Sequence, residues 1–124
     1  MSKQTQKGTH FETMICEYLS RATGGRITRR VKHGIKDEGD IEGVYIDGKE
    51  LIIEAKDRRT MELPKWLAEA EAERGNADAE YAVVVHHRYG KGAHAMDEQY
   101  ATMTLGTLAD IICKGRSNNE ARAD

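Results

Sequence analysis

Apolar residues recur at two different spacings along this chain, and the spacing separates helices from strands. From Gly8 to Thr23 they follow the three-and-four spacing of an amphipathic helix, which Gly24-Gly25 would end. The same spacing predicts a second helix over 63–74, ended by Gly75-Asn76, and a short third helix over 108–112. The chain therefore has three predicted helices, far apart in sequence.

Runs rich in apolar and β-branched residues lie between these helices and predict strands. Asp47-Gly48 separates two of the runs and is a strong signal for a two-residue hairpin turn. Helix 63–74 lies between two strands, as in a crossover that makes the flanking strands parallel. The pattern predicts an α/β fold, a mixed sheet with helices on both faces. The predicted strands are 26–33, 40–46, 50–57, 81–86 and 100–105.

Length and composition place the chain in one compact domain. The 124 residues, 39% of them apolar, can form a modest core, and no repeat or linker divides the sequence. We expect one domain over 1–114, a loose segment over 1–7 and a disordered tail over 115–124. Trp66 and Tyr81 are expected in the core.

Charge is distributed unevenly although the formal net charge is only −2. Residues 1–36 carry eight Lys and Arg side chains and two acids, whereas residues 61–80 carry six acids. Segment 81–96 contains no acid. A molecule with separate basic and acidic surfaces can bind a polyanion on its basic surface despite the small net charge.

Compartment and redox state follow from what the sequence lacks. Cys16 and Cys113 are isolated thiols without metal-ligand spacing, which favours a reduced protein with two inert cysteines. No signal peptide precedes Met1, and no apolar run is long enough to cross a membrane. We expect a cytoplasmic protein, of a bacterial or phage-infected cell, that does not bind membranes.

An acid and a base end the predicted strand 50–57. Because side chains alternate along a strand, Glu54 and Lys56 point to one face, and Leu51, Ile53 and Ala55 to the other. With Asp40 on the neighbouring strand, two carboxylates and an ammonium group suit a divalent metal beside a phosphate. The plainer alternative is a solvated strand end with a local ion pair.

The hairpin register raises an objection to this site. With a strict two-residue turn at Asp47-Gly48, Ile41 would face Glu54, and Asp40 would point to the opposite side of the sheet. A common site therefore needs one extra residue in the strand that carries Asp40. We predict an odd-length turn or a β-bulge, at Gly43 or Gly39.

The residues described above resemble the core of the PD-(D/E)xK nuclease superfamily. Asp40 and Glu54-Ala55-Lys56 match its acid and E-x-K pattern, although Gly39 stands where the name has proline. Lys7-Gly8-Thr9 followed by Glu12 resembles the start of archaeal-type and phage Holliday-junction resolvases, in which such a turn opens a helix with a catalytic Glu. The resemblance covers about residues 7–90 and implies a restriction-endonuclease-like fold.

The resemblance also implies residue roles, a cofactor and partners. Glu12, Asp40, Glu54 and Lys56 would be the catalytic set. Asp40, Glu54, the Ala55 carbonyl and Glu12 would hold Mg²⁺, for which Mn²⁺ would substitute. The expected activity is hydrolysis of branched DNA by a homodimer, since a four-way junction has two symmetric strands to cut. Glu42 is a spare ligand or a surface acid.

Basic residues near the site are candidates for contacts to DNA phosphates. For the basic side chains of the predicted strand 26–33, the alternative is an ordinary face exposed to solvent. The roles of His86 and His87 stay open; adjacent strand residues cannot share a face, which disfavours a two-histidine metal site. The candidate DNA contacts are Lys7, Arg29, Arg30, Lys32, Arg58, Arg59, Arg88 and Lys91.

Other functions remain open at the level of sequence. The same catalytic set would serve a nuclease that acts on flaps, single strands or restriction-like sites. A protein that binds DNA junctions without cutting them, and a small-molecule phosphatase, are the alternatives from other classes. Near the C-terminus, an apolar set either completes the core or forms a subunit interface. It comprises Tyr89, Tyr100, Met103, Leu105, Leu108, Ile111 and Ile112.

Overall fold

The computed structural model describes residues 3–31 and 37–115, with side chains from residue 6 onward. Lys32 and almost all of the predicted tail lie outside these ranges. The described helices are α1 (Lys3–Thr23), α2 (Leu63–Ala77) and α3 (Leu105–Ile112), with a 3₁₀ segment at Ala93–Glu98. The described strands are β1 (Thr28–Arg29), β2 (Ile41–Glu42), β3 (Tyr45–Ile46), β4 (Lys49–Lys56), β5 (Tyr81–His86) and β6 (Tyr100–Thr102).

These strands form a mixed sheet in the order β1-β2-β4-β5-β6, and β3 also pairs with β4. Strands β4 and β5 run parallel over their whole common length, from Leu51–Tyr81 to Lys56–His86. The other strand pairs are antiparallel. The predicted crossover through α2 is confirmed.

The two faces of the sheet carry separate apolar clusters. Phe11 and Ile15 of α1 pack with Ile53 on one face, whereas Trp66 of α2 packs with Ile52 on the other. The side chains of β4 therefore alternate as its sequence predicts, and the helices cover both faces. Trp66 and Tyr81 are buried core residues, as expected.

Three helix boundaries differ from the prediction. Helix α3 begins at Leu105, three residues before the predicted start and at the end of the predicted strand 100–105, of which only Tyr100–Thr102 is a strand. Helix α1 begins at Lys3, so the segment expected to be loose is helical from that residue. Lys and Gln, which make up most of its first turns, are good helix formers. Helix α2 continues past Gly75 and ends at Ala77. Asp78 caps it in a left-handed conformation, with a φ of 55°. A glycine inside a helix is tolerated at modest cost, and here the cap lies further on.

The late apolar set divides between core and surface. Met103 and Ile111 pack against the cluster on the α1 face. Leu105 and Ile112 are 81% and 71% exposed, and Leu108 is also exposed, so one face of α3 remains apolar and open to solvent. None of the described helices combines the length and apolar character needed to cross a membrane.

Candidate active site

The register between β2 and β4 changes by one residue along the hairpin. Next to the turn, Ile46 pairs with Lys49, as a two-residue turn at Asp47-Gly48 requires. Further along, Ile41 pairs with Ile53 and not with Glu54. The strand that carries Asp40 therefore contains one extra residue, and the predicted bulge is confirmed.

Gly43 lies at the extra residue, and its conformation explains why a glycine stands there. Its φ is 98°, a region that residues with a Cβ rarely adopt. A Cβ at this position would also lie 2.4 Å from the carbonyl oxygen of Arg26. The bulge thus depends on a close backbone approach to the chain that leads into β1.

Asp40 is held by hydrogen bonds to the strands on both sides. Its backbone N–H donates to Ile53 O at 2.9 Å, and its carbonyl accepts from Arg30 N at 2.8 Å. Its side-chain Oδ2 accepts from the backbone N–H of Ala55 at 2.9 Å. The carboxylate of Asp40 is therefore fixed at the end of β4, beside Glu54.

The four predicted catalytic residues line one cleft of about 600 Å³. Glu12 comes from α1, Asp40 from the segment before β2, and Glu54 and Lys56 from β4. The cleft lies where α1, β1 and the end of β4 meet. It is also lined by Gly8, Thr9, Arg29, Arg30, Val31, Asp37, Ala55, Asp57 and Arg58.

Glu54 is the most confined carboxyl of the predicted set. The residue is only 7% exposed, and its Oε1 is buried without a hydrogen-bond partner among the described groups. Burial, followed by the neighbouring Asp40 and Glu73 carboxyls, raises the pKa of Glu54 far above its usual range. Such a carboxyl needs a proton or a cation beside it.

Lys56 supplies part of that positive charge. Its Nζ lies 3.6 Å from Glu54 Oε2 and 3.1 Å from Glu69 Oε1 on α2. Burial lowers the pKa of Lys56, but the charges of Glu54 and Glu69 outweigh it, and the net effect raises the pKa. Lys56 therefore stays protonated, which suits it to offset negative charge and not to accept a proton.

Glu12 reaches the cleft from the helix α1. Its Oε1 accepts a hydrogen bond from Arg29 Nε at 3.0 Å, which ties α1 to β1. The resemblance implies that the motif Lys7-Gly8-Thr9 begins the helix. In the structure the motif lies inside α1. The helix simply starts earlier, and Gly8 and Thr9 still line the cleft.

Three acids next to the predicted site were not foreseen. Glu73 and Glu69 project from α2, and Asp37 lies in the segment before β2. Glu73 is 3% exposed, and burial, followed by Asp37, raises its pKa to about 8. A signal for Glu73 existed: it follows the buried Trp66 and Ala70 at helical spacing, so it lies on the sheet-facing side of α2.

The candidate DNA contacts fall into separate groups. Arg29, Arg30 and Arg58 line the cleft. Arg30 is also paired within the protein, since its Nη2 donates to Glu50 Oε2 at 2.7 Å and its side chain is 13% exposed. Arg29 and Arg58 are the more accessible cations.

Lys7 and Arg59 lie together beside the cleft, around Tyr89. The Arg59 guanidinium is 4.4 Å and the Lys7 ammonium 5.2 Å from the centre of the Tyr89 ring. Tyr89 Oη donates to Asp57 Oδ1 at 2.7 Å, and His87 Nδ1 lies 2.9 Å from the same oxygen. Asp57 thus joins the end of β4 to the loop after β5.

Arg88 and Lys91 do not line the cleft. Arg88 Nη1 and Lys91 Nζ lie 3.7 Å and 3.2 Å from the same oxygen, Oε1 of Glu98. His86 and His87 point to opposite faces: His86 contacts Trp66 of α2, and His87 stacks on Phe11 of α1. The two histidines therefore cannot bind the same metal ion.

The donor set of the cleft fits a hard divalent cation. Asp40 and Glu54 are carboxylates, and oxygen ligands of this kind are those that Mg²⁺ and Mn²⁺ bind. The unpartnered Oε1 of Glu54 is an oxygen that such an ion could bind.

Comparison with protein-family profiles, curated proteins and solved structures gives no match for this chain.

Proposed function

We propose that this chain is a Mg²⁺-dependent DNA endonuclease with a fold of the PD-(D/E)xK type, acting on branched DNA such as Holliday junctions. One observation carries the proposal. The bulge at Gly43 brings Asp40 to the side of Glu54 and Lys56, in the cleft that Glu12 also lines. A plain solvated strand end gives no reason for this displaced register.

The metal would be held by Asp40, Glu54 and the Ala55 carbonyl, with Glu12 binding directly or through water. When bound, Mg²⁺ would lower the pKa of a water and neutralise charge on the scissile phosphate. In the hydrolysis, a water oxygen forms a new bond to phosphorus, one P–O ester bond breaks, the attacking water gives its proton to solvent, and the leaving oxygen takes one up from solvent. Protonated Lys56 would offset the negative charge that develops in this step.

The substrate class follows from the cations at the cleft. Arg29 and Arg58 would contact the phosphates on either side of the scissile bond. Such contacts recognise the backbone and its shape, so sequence preference should be weak. The scattered basic groups suit a long polyanion better than the single phosphate of a small molecule.

A homodimer is part of the proposal, because two active sites at a fixed separation would cut the two symmetric strands of a junction. The exposed apolar face of α3, with Leu105, Leu108 and Ile112, would be covered in such a dimer. Covering it would remove apolar surface from water, which favours association.

Cleavage of a synthetic four-way junction tests the proposal. The protein is incubated with the junction, a flap and a linear duplex built from the same strands, with Mg²⁺, Mn²⁺ or EDTA. We expect symmetric nicks near the crossover with either metal and none with EDTA. Trimming of ends or preference for the flap would indicate a nuclease with another target.

The variant Glu54→Ala separates catalysis from binding. We expect cleavage to fall by about 10³-fold or more, because a metal ligand and the partner of Lys56 are lost together. Junction binding in EDTA should change little. The exposed Glu62→Ala is the matched control and should cut normally. Binding without cutting by the unmodified protein would instead indicate a non-catalytic junction-binding protein.

A further inference from the structure

Glu73 is a buried acid that the proposed chemistry does not use. It lies on the sheet-facing side of α2, in line with Trp66 and Ala70, and is 3% exposed. A carboxylate in such a position is costly unless protons, donors or cations compensate it. The described structure gives Glu73 Oε1 no hydrogen-bond partner.

The groups around Glu73 are themselves acids. One carboxylate oxygen from each of Asp37, Glu54 and Glu73 lies no more than 4.8 Å from those of the other two. Glu54 Oε1, like Glu73 Oε1, is buried and unpartnered among the described groups. The nearby cation Lys56 pairs with the other oxygen of Glu54, Oε2, and with Glu69.

Three different elements contribute these oxygens: the segment before β2, strand β4 and helix α2. A hydrogen bond also joins helix α2 to the segment before β2, since Asn76 Nδ2 donates to the carbonyl of Asp37 at 2.8 Å. Gly39 N donates to Asp37 Oδ1 at 3.0 Å, which orients that carboxylate. The cluster is therefore supported by contacts outside its own carboxyls.

We propose that Asp37, Glu54 and Glu73 form a second divalent-cation site, which shares Glu54 with the nuclease metal. Its donors are oxygens only, which selects hard ions such as Mn²⁺, Ca²⁺ and Mg²⁺. Three oxygens that lie within 4.8 Å of one another are close enough to bind one such ion after small side-chain movements.

This site goes beyond the proposed nuclease function, because the ion would bind in the absence of DNA. It would also connect α2 to the end of β4, so its occupancy would stabilise the fold. The rival explanation is that protons shared among the carboxyls relieve the repulsion and no ion enters.

Mn²⁺ binding to the whole chain without DNA tests the site, with free Mn²⁺ measured by electron paramagnetic resonance. We expect roughly two Mn²⁺ per chain. Glu73→Gln should lose one of them, with its affinity weakened by about tenfold or more. Asp40→Asn should lose the other, and the exposed Glu62→Gln should bind as the unmodified protein does.

Asp37→Asn gives a second path if Glu73→Gln fails to fold, since Asp37 is exposed and its loss leaves the core intact. It should lose the same ion as Glu73→Gln. Unchanged Mn²⁺ binding in Asp37→Asn would overturn the site, as would a single ion in the unmodified protein that Glu73→Gln and Asp37→Asn both retain.

The outcome also separates this site from the nuclease proposal. Two ions bound with no cleavage of any DNA would leave the cation site standing and reject the nuclease. Cleavage with one ion, unaffected by Glu73→Gln, would do the reverse.

Discussion

Glu54 shows how far single residues could be interpreted from sequence. Its strand position, its face and its partnership with Lys56 follow from alternation along β4, and all three are found in the structure. Its contact with Glu73 could not be assigned, because the orientation of α2 over the sheet depends on packing. The spacing of Glu73 from Trp66 and Ala70 signalled burial, but not which carboxyl it would meet.

The buried acids make stability depend on pH. Burial and Asp37 raise the pKa of Glu73 from 4.5 to about 8, so the folded protein keeps a proton that the unfolded chain releases. This contribution to stability is complete below about pH 4.5 and is lost as the pH rises through 8. In EDTA, the free energy of unfolding should therefore fall between pH 5 and pH 8.

Urea unfolding of Glu73→Gln checks this prediction, because glutamine cannot ionise. Its unfolding free energy should depend less on pH, and its melting temperature at pH 8 in EDTA should be roughly 3 °C or more higher. The exposed Glu62→Gln should keep the slope of the unmodified protein. An equal slope in Glu73→Gln would contradict the assignment.

At the scale of elements, the sequence predicts the bulge and narrows its position to Gly43 or Gly39. The turn sequence gave one register and the paired acids demanded another, so an extra residue was needed; its place at Gly43 depends on the contact with Arg26, a tertiary feature. The ends of α1 and α2 were misplaced for a related reason. Local signals such as Gly75 mark possible stops, whereas packing decides which stop is used.

Gly43→Ala should destabilise the protein strongly. Its Cβ would meet the Arg26 carbonyl at 2.4 Å, on top of the strain of a φ of 98°. We expect a loss of about 3 kcal/mol or more in the free energy of unfolding. Gly90→Ala has nearly the same φ, 96°, with no atom within 4 Å, and should lose only about 1 kcal/mol. Equal losses in urea unfolding would argue against the close approach.

At the scale of the molecule, the sequence predicts the uneven charge but not where the individual cations lie. Arg29 and Arg58 line the cleft, whereas Arg88 and Lys91 converge on Glu98 elsewhere. Sequence reveals that a segment is basic. It does not reveal which cations the fold pairs internally, since that depends on acids distant in the chain.

The salt dependence of junction binding tests the role of the cleft cations. In the proposed complex Arg58 contacts one phosphate, so Arg58→Ala should reduce the slope of log K against log salt by about 1. Arg21→Ala is the matched control, because Arg21 is an exposed arginine in the last turn of α1, and its slope should not change. Equal slopes for both variants would place the DNA elsewhere.

The change of register in the hairpin has a further consequence, which concerns chain length. The acids Asp40 and Glu54 meet because the arm before the turn is one residue longer than the arm after it. Removing a single codon from the bulge would equalise the arms and turn Asp40 away, with every acidic residue still present. The site therefore depends on the difference in length between the two arms as much as on the identity of its residues. A deletion in the bulge would remove the site without removing any of its carboxylates.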